Sequence, residues 1–359
     1  MPKQILLFAA IVAFLLLPCL AKSQADYNAE IKQAAISFVN SLDKMHRQVA
    51  LLAFNDTARI KWNNLPVGLR ARAGISVGNM TVEQRKLFHR ILSVSLSSQG
   101  YLKATSIMQL DNLLNQYYDS LYYGKEIDSP TYGFIRALQW SPRNYYLAFF
   151  GNPSDSVWGY KVEGHHLSVN FTFVNDKLSV TPFFVGTDPA EYPIGEYAGL
   201  RILGQEEDLG IKLIHLLSAD QQKKATMSGA VPGDIITGAE SGKRLVDNWG
   251  IRGSEMTKQQ QAVLQYIIRE FVFNLEYDKA VAEYDKIVKA GIDKIYFGWI
   301  GTYEESKPHY YVLNGPGFLI ELDNSGFGGN ANHIHAIWRE KGNEFGEDVL
   351  KNHYLMEKH

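Results

Sequence analysis

Two histidines separated by one residue stand out near the end of the chain, where the segment NHIHAIWRE contains His333 and His335. Its β-branched and aromatic residues are typical of a strand. Residues two apart on a strand share a face, with α-carbons about 6–7 Å from each other. Two imidazoles at that spacing can bind one ion at about 2.0–2.1 Å, so the pair predicts a metal site. Hydrogen bonds within a pocket or the core are the alternative.

The preceding predicted strand, GFLIELDN, adds an acid to the same face, because Glu321 and Asp323 alternate with apolar residues. A symmetric hairpin closed by NSGFGGN places Glu321 opposite His333, and a tighter turn before it places Tyr310 opposite Glu321. An even error in this register leaves the residues on one face. Asp323, close to the turn, is expected to face solvent.

A second histidine pair occurs in the central segment EGHHLSVNFTF. If the whole segment is a strand, His165 lies with the core-facing residues and His166 lies with Asn170 on the polar face. We therefore expect His166 to be the better metal ligand. His165 is a further candidate ligand, for which a hydrogen-bonded core histidine is the competing interpretation. Asn170 and Asn332 are the predicted substrate-binding side chains.

These residue types together favour a metal-dependent hydrolase. The C-terminal histidine pair would hold a divalent ion, and His166 or Glu321 would supply the third ligand. An open coordination position would lower the pKa of bound water. Glu321, if not a ligand, would act as general base, Arg339 would stabilise an oxyanion, and Tyr310 is a third candidate catalytic residue. Zinc is the first choice of metal, and nitrogen and oxygen ligands also suit iron, copper or manganese.

The competing hypothesis is a non-catalytic module that binds a small ligand or acts at a surface. In that case the histidines would line a pocket and hydrogen-bond the ligand or one another. A structural metal is a variant of the same hypothesis. The sequence does not identify the substrate or ligand under either interpretation.

The elements that must position these residues are grouped by type along the chain. Residues 26–54 have helical spacing, and capping boxes predict helix starts at Thr81, Ser218 and Thr257. Short β-branched segments follow Pro130 and return at the C-terminal end. This grouping predicts an α+β fold, in which central and C-terminal strands build an antiparallel β-sheet packed with several α-helices.

Composition restricts the class of protein. The chain has 359 residues, 46% of them hydrophobic, and a net charge of -2. That length supports a sizeable core, and we predict one domain over residues 24–359. Nucleic-acid binders carry a basic stripe, and no run of Lys or Arg occurs here. A nucleic-acid partner is therefore not expected.

The N-terminus has the pattern of an export signal. Lys3 precedes the apolar run ILLFAAIVAFLLLPCLA, which ends in small residues and is followed by polar ones. We predict a signal peptide over residues 1–23 and a periplasmic or secreted mature chain without a membrane span; an uncleaved anchor is the alternative. Cys19, the only cysteine, lies within the signal. The mature chain would then have neither disulfides nor thiolate metal sites.

Several of these segments resemble the domain of unknown function 3500 family. The resemblance spans nearly the whole mature chain and includes the GHHL motif at 164–167 and the NHIH motif at 332–335. It implies a single domain typical of mostly exported proteins, and it implies no activity, cofactor or substrate. The chain departs from the family pattern after Arg339, where EKGNEFG replaces the usual acid or Asp-Pro.

Overall fold

The computed structural model describes residues 24–239, 245, 247–326 and 329–356, so the predicted signal peptide lies outside the described residues. The described α-helices are α1 (Gln24–Asn40), α2 (Lys44–Ala50), α3 (Val82–Ser95), α4 (Ser98–Tyr123), α5 (Ser129–Ala137), α6 (Gly204–Leu216), α7 (Ala219–Ala225), α8 (Lys258–Val272), α9 (Tyr277–Ala290) and α10 (Glu347–Met356). The described strands are β1 (Leu51–Leu52), β2 (Ile75–Ser76), β3 (Tyr146–Phe150), β4 (Val157–Gly164), β5 (Leu167–Val174), β6 (Lys177–Ser179), β7 (Phe183–Thr187), β8 (Ile251–Arg252), β9 (Tyr296–Gly301), β10 (His309–Asn314), β11 (Phe318–Asn324) and β12 (Ile334–Glu340).

The strands form one sheet in the order β1-β3-β4-β5-β7-β12-β11-β10-β9-β8, with β2 paired to β3 and β6 paired to β5. Among the described strands, only the β1–β3 pair is parallel. The sheet therefore has a half built from central strands and a half built from C-terminal strands, which meet where β7 pairs with β12. This arrangement confirms the predicted α+β class with an antiparallel sheet.

One face of the sheet packs against helices. Alternate strand residues such as Val169, Ile320 and Trp338 join buried side chains of α1, α3, α4, α6 and α8 in one hydrophobic core. The period-two spacing of apolar residues places them on this face. Burial of each such side chain contributes about 1.5–3 kcal/mol. The core therefore fixes which residues of each strand point away from the helices.

Capping chemistry sets the helix starts. The predicted capping boxes at Thr81, Ser218 and Thr257 are all formed, and each hydroxyl accepts the backbone N–H of a glutamine three residues later. The single helix predicted over residues 26–54 is wrong, because α1 ends at Asn40 and Asp43 caps α2 by accepting the His46 N–H. A local side-chain acceptor thus overrides the continuous helical spacing.

The opposite face of the sheet is covered by two segments, the 53–74 loop and the 226–239 loop. Trp62 of the first and Ile235 of the second pack with Phe184 and Ile337 of the sheet. Because both faces are covered, β5 and β11 are buried along their whole length, including their polar residues. Those polar groups need partners inside the protein. Within the described ranges, no helix is both long and apolar enough to cross a membrane.

Candidate metal centre

Three histidines converge on the loop-covered face, at the end of the sheet where β5, β7 and β12 meet. Nε2 of His333 lies 2.9 Å from Nε2 of His166 and 3.0 Å from Nε2 of His335. All three nitrogens lie within 4.8 Å of one another. Nitrogens bound to one ion at 2.0–2.1 Å are roughly 2.9–3.4 Å apart for bond angles of 90° to 110°. The spacing of this histidine triad is therefore compatible with metal binding.

The tight turn between β4 and β5 supplies His166. The strand predicted over HHLSVNFTFV is wrong at its start, because His165 and His166 form the turn and β5 begins at Leu167. His166 has a φ of 60°, a conformation that side-chain-bearing residues rarely adopt. Its N–H donates to the Asn64 carbonyl at 3.1 Å, and its carbonyl accepts the Gly186 N–H at 2.7 Å. These bonds hold the strained turn over the site.

The pairing of β11 with β12 positions His335, and His333 directly precedes β12. Asp323 lies opposite His335, and Glu321 lies opposite Ile337. The predicted pairing of Glu321 with His333 is wrong, because β12 begins only at Ile334 and the register differs by four positions. The difference is even, so Glu321 and Asp323 still share the face of His335.

Carboxylates outside the triad orient its rings. Nδ1 of His335 lies 2.6 Å from Oδ1 of Asp234, a residue of the 226–239 loop. If Nδ1–H donates to this carboxylate, Nε2 keeps its lone pair for the triad, as in metal-bound histidines. Nδ1 of His333 lies 3.8 Å from Oδ2 of Asp188. Nδ2 of Asn64 lies 3.5 Å from Nε2 of His335.

His165 lies behind the triad and does not join the group of three. Its Nδ1 is 2.6 Å from Oδ1 of Asp111. Its ring stacks on His166 with ring centroids 3.7 Å apart, and it also stacks with Trp140, with centroids 5.9 Å apart. His165 thus contacts the ring of His166, while its own ring is hydrogen-bonded to a buried carboxylate.

Burial sets the ionisation of the site. It lowers the pKa of His166 and of His333 well below the ordinary value, and neighbouring histidines act in the same direction. Both rings are therefore neutral at neutral pH, which is the form that binds a metal. Burial also raises the pKa of Asp188 to about 6 and that of Asp323 to about 7.

Glu321 is the anchor of the 226–239 loop. Its carboxylate accepts the N–H groups of Ile236 at 2.7 Å and Thr237 at 3.2 Å, the Tyr310 hydroxyl at 2.9 Å, and the Thr237 hydroxyl. Burial raises the pKa of Glu321 and that of Tyr310. These two candidate catalytic residues therefore position the segment that carries Asp234.

Arg339 lies on the same face of β12 as His335 but four residues further along the strand, about 13 Å by strand rise. Its guanidinium binds Oε1 of Glu344 at 2.6 Å and donates to the carbonyl of Thr237. The structure thus places Arg339 at the far end of the 226–239 loop and not beside the triad.

The two candidate substrate-binding asparagines are also engaged elsewhere. Nδ2 of Asn170 donates to the Pro182 carbonyl at 2.8 Å. Oδ1 of Asn332 accepts the N–H of Glu191 at 2.8 Å. Asn170 lies four residues from His166 along the turn and β5, whereas Asn332 directly precedes His333.

Sequence reasoning predicted the exposure of Asp323 wrongly, and it also placed Tyr310 opposite Glu321 although Tyr310 pairs with Asp323. Asp323 is 1% exposed instead of facing solvent, because the loops cover the end of β11. Its Oδ1 accepts the Ser325 hydroxyl, whereas Oδ2 is buried and has no hydrogen-bond partner among the described residues. Its alternation with Glu321 was the available signal. Asp188, Asp234 and Asn64 lie in loops, where no periodicity could have indicated them.

Gly186 provides a test of the triad geometry, because a β-carbon there would lie 2.8 Å from the backbone oxygen of Ile334 in β12 and 3.1 Å from Cδ2 of both His166 and His335. We expect Gly186→Ala to displace these rings and to weaken zinc binding at least tenfold, about 1.4 kcal/mol. Isothermal titration calorimetry measures this change. Gly133→Ala is the control, since no atom lies within 4 Å of its added β-carbon. Equal zinc affinity in the two variants would contradict the geometry.

Metal affinity should also depend on pH. In the metal-free protein the pKa values of Asp188 and Asp323 are raised to about 6 and about 7. A nearby cation favours the carboxylate form, so the metal-free state binds more protons than the metal-bound state. Affinity should therefore rise with pH between about pH 5.5 and 7.5 and level off above. Titrations in buffers of different ionisation enthalpy measure the proton release, and pH-independent affinity would refute the coupling.

Comparisons with known proteins identify a family. The family model described as Protein of unknown function (DUF3500) matches residues 24–347. No curated protein and no solved structure is significantly similar to the chain. The match includes the three histidines of the triad and confirms the resemblance seen in the GHHL and NHIH motifs. The chain is therefore a member of the DUF3500 family of uncharacterised proteins.

Proposed function

We propose that this protein is a metal-dependent hydrolase whose divalent ion is bound by His166, His333 and His335. One observation carries the proposal: the three Nε2 atoms approach one another at 2.9 and 3.0 Å. Three imidazoles facing a common point are the ligand set of catalytic zinc sites, which keep a further position for water. Zinc is the first choice, and iron, copper or manganese also suit such ligands.

The charges around the triad support a cation. Neutral histidines contribute no charge, whereas Asp188, Asp234 and Asp323 lie beside the triad. Burial raises the pKa of Asp188 and of Asp323, so without a cation these two carboxyls retain protons at higher pH than usual. A divalent ion would offset the negative charge of the carboxylates.

Asp323 is the acid–base group that the geometry favours. The three histidines would hold a divalent ion, which would supply a bound water with a pKa lowered towards 7. Asp323 lies opposite His335, and its Oδ2 has no hydrogen-bond partner in the described part of the chain. Side chains directly opposite on neighbouring strands have β-carbons about 4.5–5.5 Å apart. Oδ2 would accept the proton of the attacking water and return it to the leaving group.

We also propose that the protein acts outside the cytoplasm, with residues 1–23 removed as a signal peptide. The apolar run after Lys3 and the small residues that end it support this. Histidine and carboxylate ligands do not depend on a reducing compartment, unlike thiolates. The proposed site therefore suits an exported chain without cysteine.

The metal itself is the first test. We expect the mature protein to bind about one zinc ion after reconstitution, and His333→Ala and His335→Ala each to lose that binding while keeping the wild-type circular dichroism spectrum. Elemental analysis gives the metal content. His46→Ala is the matched control, since His46 lies on α2 and its ring contacts Asp43 of the same helix start. A wild type that stays metal-free would refute the proposal. Loss of folding with the metal would favour a structural ion in a non-catalytic module.

Asp323→Asn separates metal binding from turnover. The amide keeps the shape of the side chain but does not accept a proton at neutral pH. We expect wild-type zinc content and a fall in kcat of about 10²–10⁴-fold, the usual contribution of general acid–base catalysis. Chromogenic carboxylic and phosphate esters provide the assay. Thr187→Val, a buried substitution on β7, is the control for packing changes. Unchanged turnover in Asp323→Asn would exclude this residue as the base.

A further inference from the structure

We propose that a cavity between α3, α4 and the segment before β3 binds a small organic carboxylate with an apolar body. The cavity has a volume of about 290 Å³, which is near the lower end of the range for ligand pockets. Among the described residues that line it, Arg85 and Arg143 carry charge, and none is an aspartate or a glutamate. Two positive charges and no negative charge give the lining a charge of +2, although the whole chain has a net charge of -2.

The two arginines are bonded to the backbone and not to acids. Nε of Arg85 donates to the carbonyl of Val77 at 3.1 Å, and Nη2 of Arg143 donates to the carbonyl of Gly78 at 3.1 Å. Within the described part of the chain, neither guanidinium forms a salt bridge. Carbonyl groups accept the hydrogen bonds without neutralising the charges. Both cations of the cavity are therefore uncompensated.

A short turn holds the two guanidinium groups at the same place. Val77 and Gly78 are consecutive residues of a 3-10 turn, so the two arginines donate to adjacent carbonyls. The N–H of Gly78 donates in return to the backbone carbonyl of Arg143 at 2.9 Å. Like charges that line one cavity repel each other. A purely structural role accounts for the hydrogen bonds to the turn but not for two unbalanced charges, which a bound anion would offset.

Most of the hydrogen-bonding capacity of these side chains is unused. A guanidinium has five N–H donors in a planar fork and binds a carboxylate through two parallel hydrogen bonds. Arg85 uses only Nε in its described bond, so the N–H groups of both Nη atoms remain. Arg143 uses Nη2, which leaves Nε and Nη1. Each side chain thus retains donors for a carboxylate while it holds the turn.

The rest of the lining indicates what is attached to the carboxylate. Val77, Met108 and Pro142 supply apolar surface, and Met108 is itself buried. Burial lowers the pKa of His89, which also lines the cavity, so this imidazole is neutral at neutral pH. Apolar walls stabilise an apolar body but do not stabilise an oxyanion that is hydrated on all sides. The lining therefore favours a monocarboxylate with a short hydrocarbon chain over inorganic phosphate.

The cavity is separate from the histidine triad. The described residues that line it include neither a triad histidine nor a carboxyl beside the triad. Its nearest link to the triad is α4, where Met108 lies one turn before Asp111, the partner of His165. Carboxylate binding therefore does not rest on the proposed hydrolase function. The experiment uses metal-free protein, in which a carboxylate has no metal to bind.

We expect hexanoate to bind saturably to the metal-free protein in calorimetric titrations at constant ionic strength, which keeps the screening of the two charges unchanged. Acetate, which lacks most of the apolar body, and hexanol, which lacks the charge, should each bind at least tenfold more weakly. The double variant Arg85→Gln/Arg143→Gln should also bind hexanoate at least tenfold more weakly. A glutamine amide can still donate to the turn carbonyls, so this variant removes the charges while it keeps donors.

The matched control is Arg47→Gln/Arg90→Gln, which removes the same two charges from exposed positions on α2 and α3. It should bind hexanoate as the wild type does. Thermal unfolding verifies that both double variants are folded. If the cavity variant does not fold, the wild-type comparison decides, because equal binding of hexanoate and hexanol would exclude recognition of the carboxylate.

Absence of saturable hexanoate binding, or equal binding by the two double variants, would overturn the proposed site. Inorganic phosphate that binds as tightly as hexanoate would overturn the assignment to an organic carboxylate. His335→Ala should bind hexanoate as the wild type does, because the cavity does not need the triad. Loss of hexanoate binding in His335→Ala would place the carboxylate at the histidines and also overturn the proposed site.

Discussion

The arrangement of the site depends on three imidazole nitrogens that face one another at hydrogen-bonding distance. Each neutral imidazole carries a single N–H, and that of His335 is directed by Asp234 away from the common point. A bound cation, or an N–H of one ring that donates to the next, would offset the mutual repulsion of the remaining lone pairs. The surrounding features, namely the left-handed turn at His166, the glycine at position 186 and the buried carboxyls, bring the nitrogens together or compensate the charge.

The triad is supported by residues other than its three histidines. Glu321 is fully buried, and the donors of the 226–239 loop and Tyr310 offset part of the desolvation cost that raises its pKa. The loop that it fixes carries Asp234 to His335. The stacking of Trp140 with His165 and of His165 with His166 supports the ring of His166. An enclosed polar layer of this kind is rigid because each unpaired group would be costly.

The sequence predicted the fold class, the capped helix starts and the polar face of the sheet, because these follow from local chemistry and from strand alternation. His333, His335 and His166 were also identified, although the turn that carries His166 was read as strand. The register between β11 and β12 was not predictable, since a glycine-rich connection does not fix how many residues pair. The partners Asp188, Asp234 and Asn64 were missed because loop covering depends on tertiary packing. Arg339 was predicted to lie at the site because it shares a face of β12 with His335. Residues on one face need not be close, and strand rise separates these two by about 13 Å.

The triad bridges the two halves of the sheet, which meet at the pairing of β7 with β12. Strands β1 to β7 come from residues 51–187 and strands β8 to β12 from residues 251–340, so each half of the sheet is assembled from one stretch of chain. The backbone bonds of that pairing join partners more than a hundred residues apart. His166 belongs to the first half, and His333 and His335 belong to the second. An ion bound by all three histidines would therefore link the two halves of the sheet, and the site would bind it fully only after the two halves have paired.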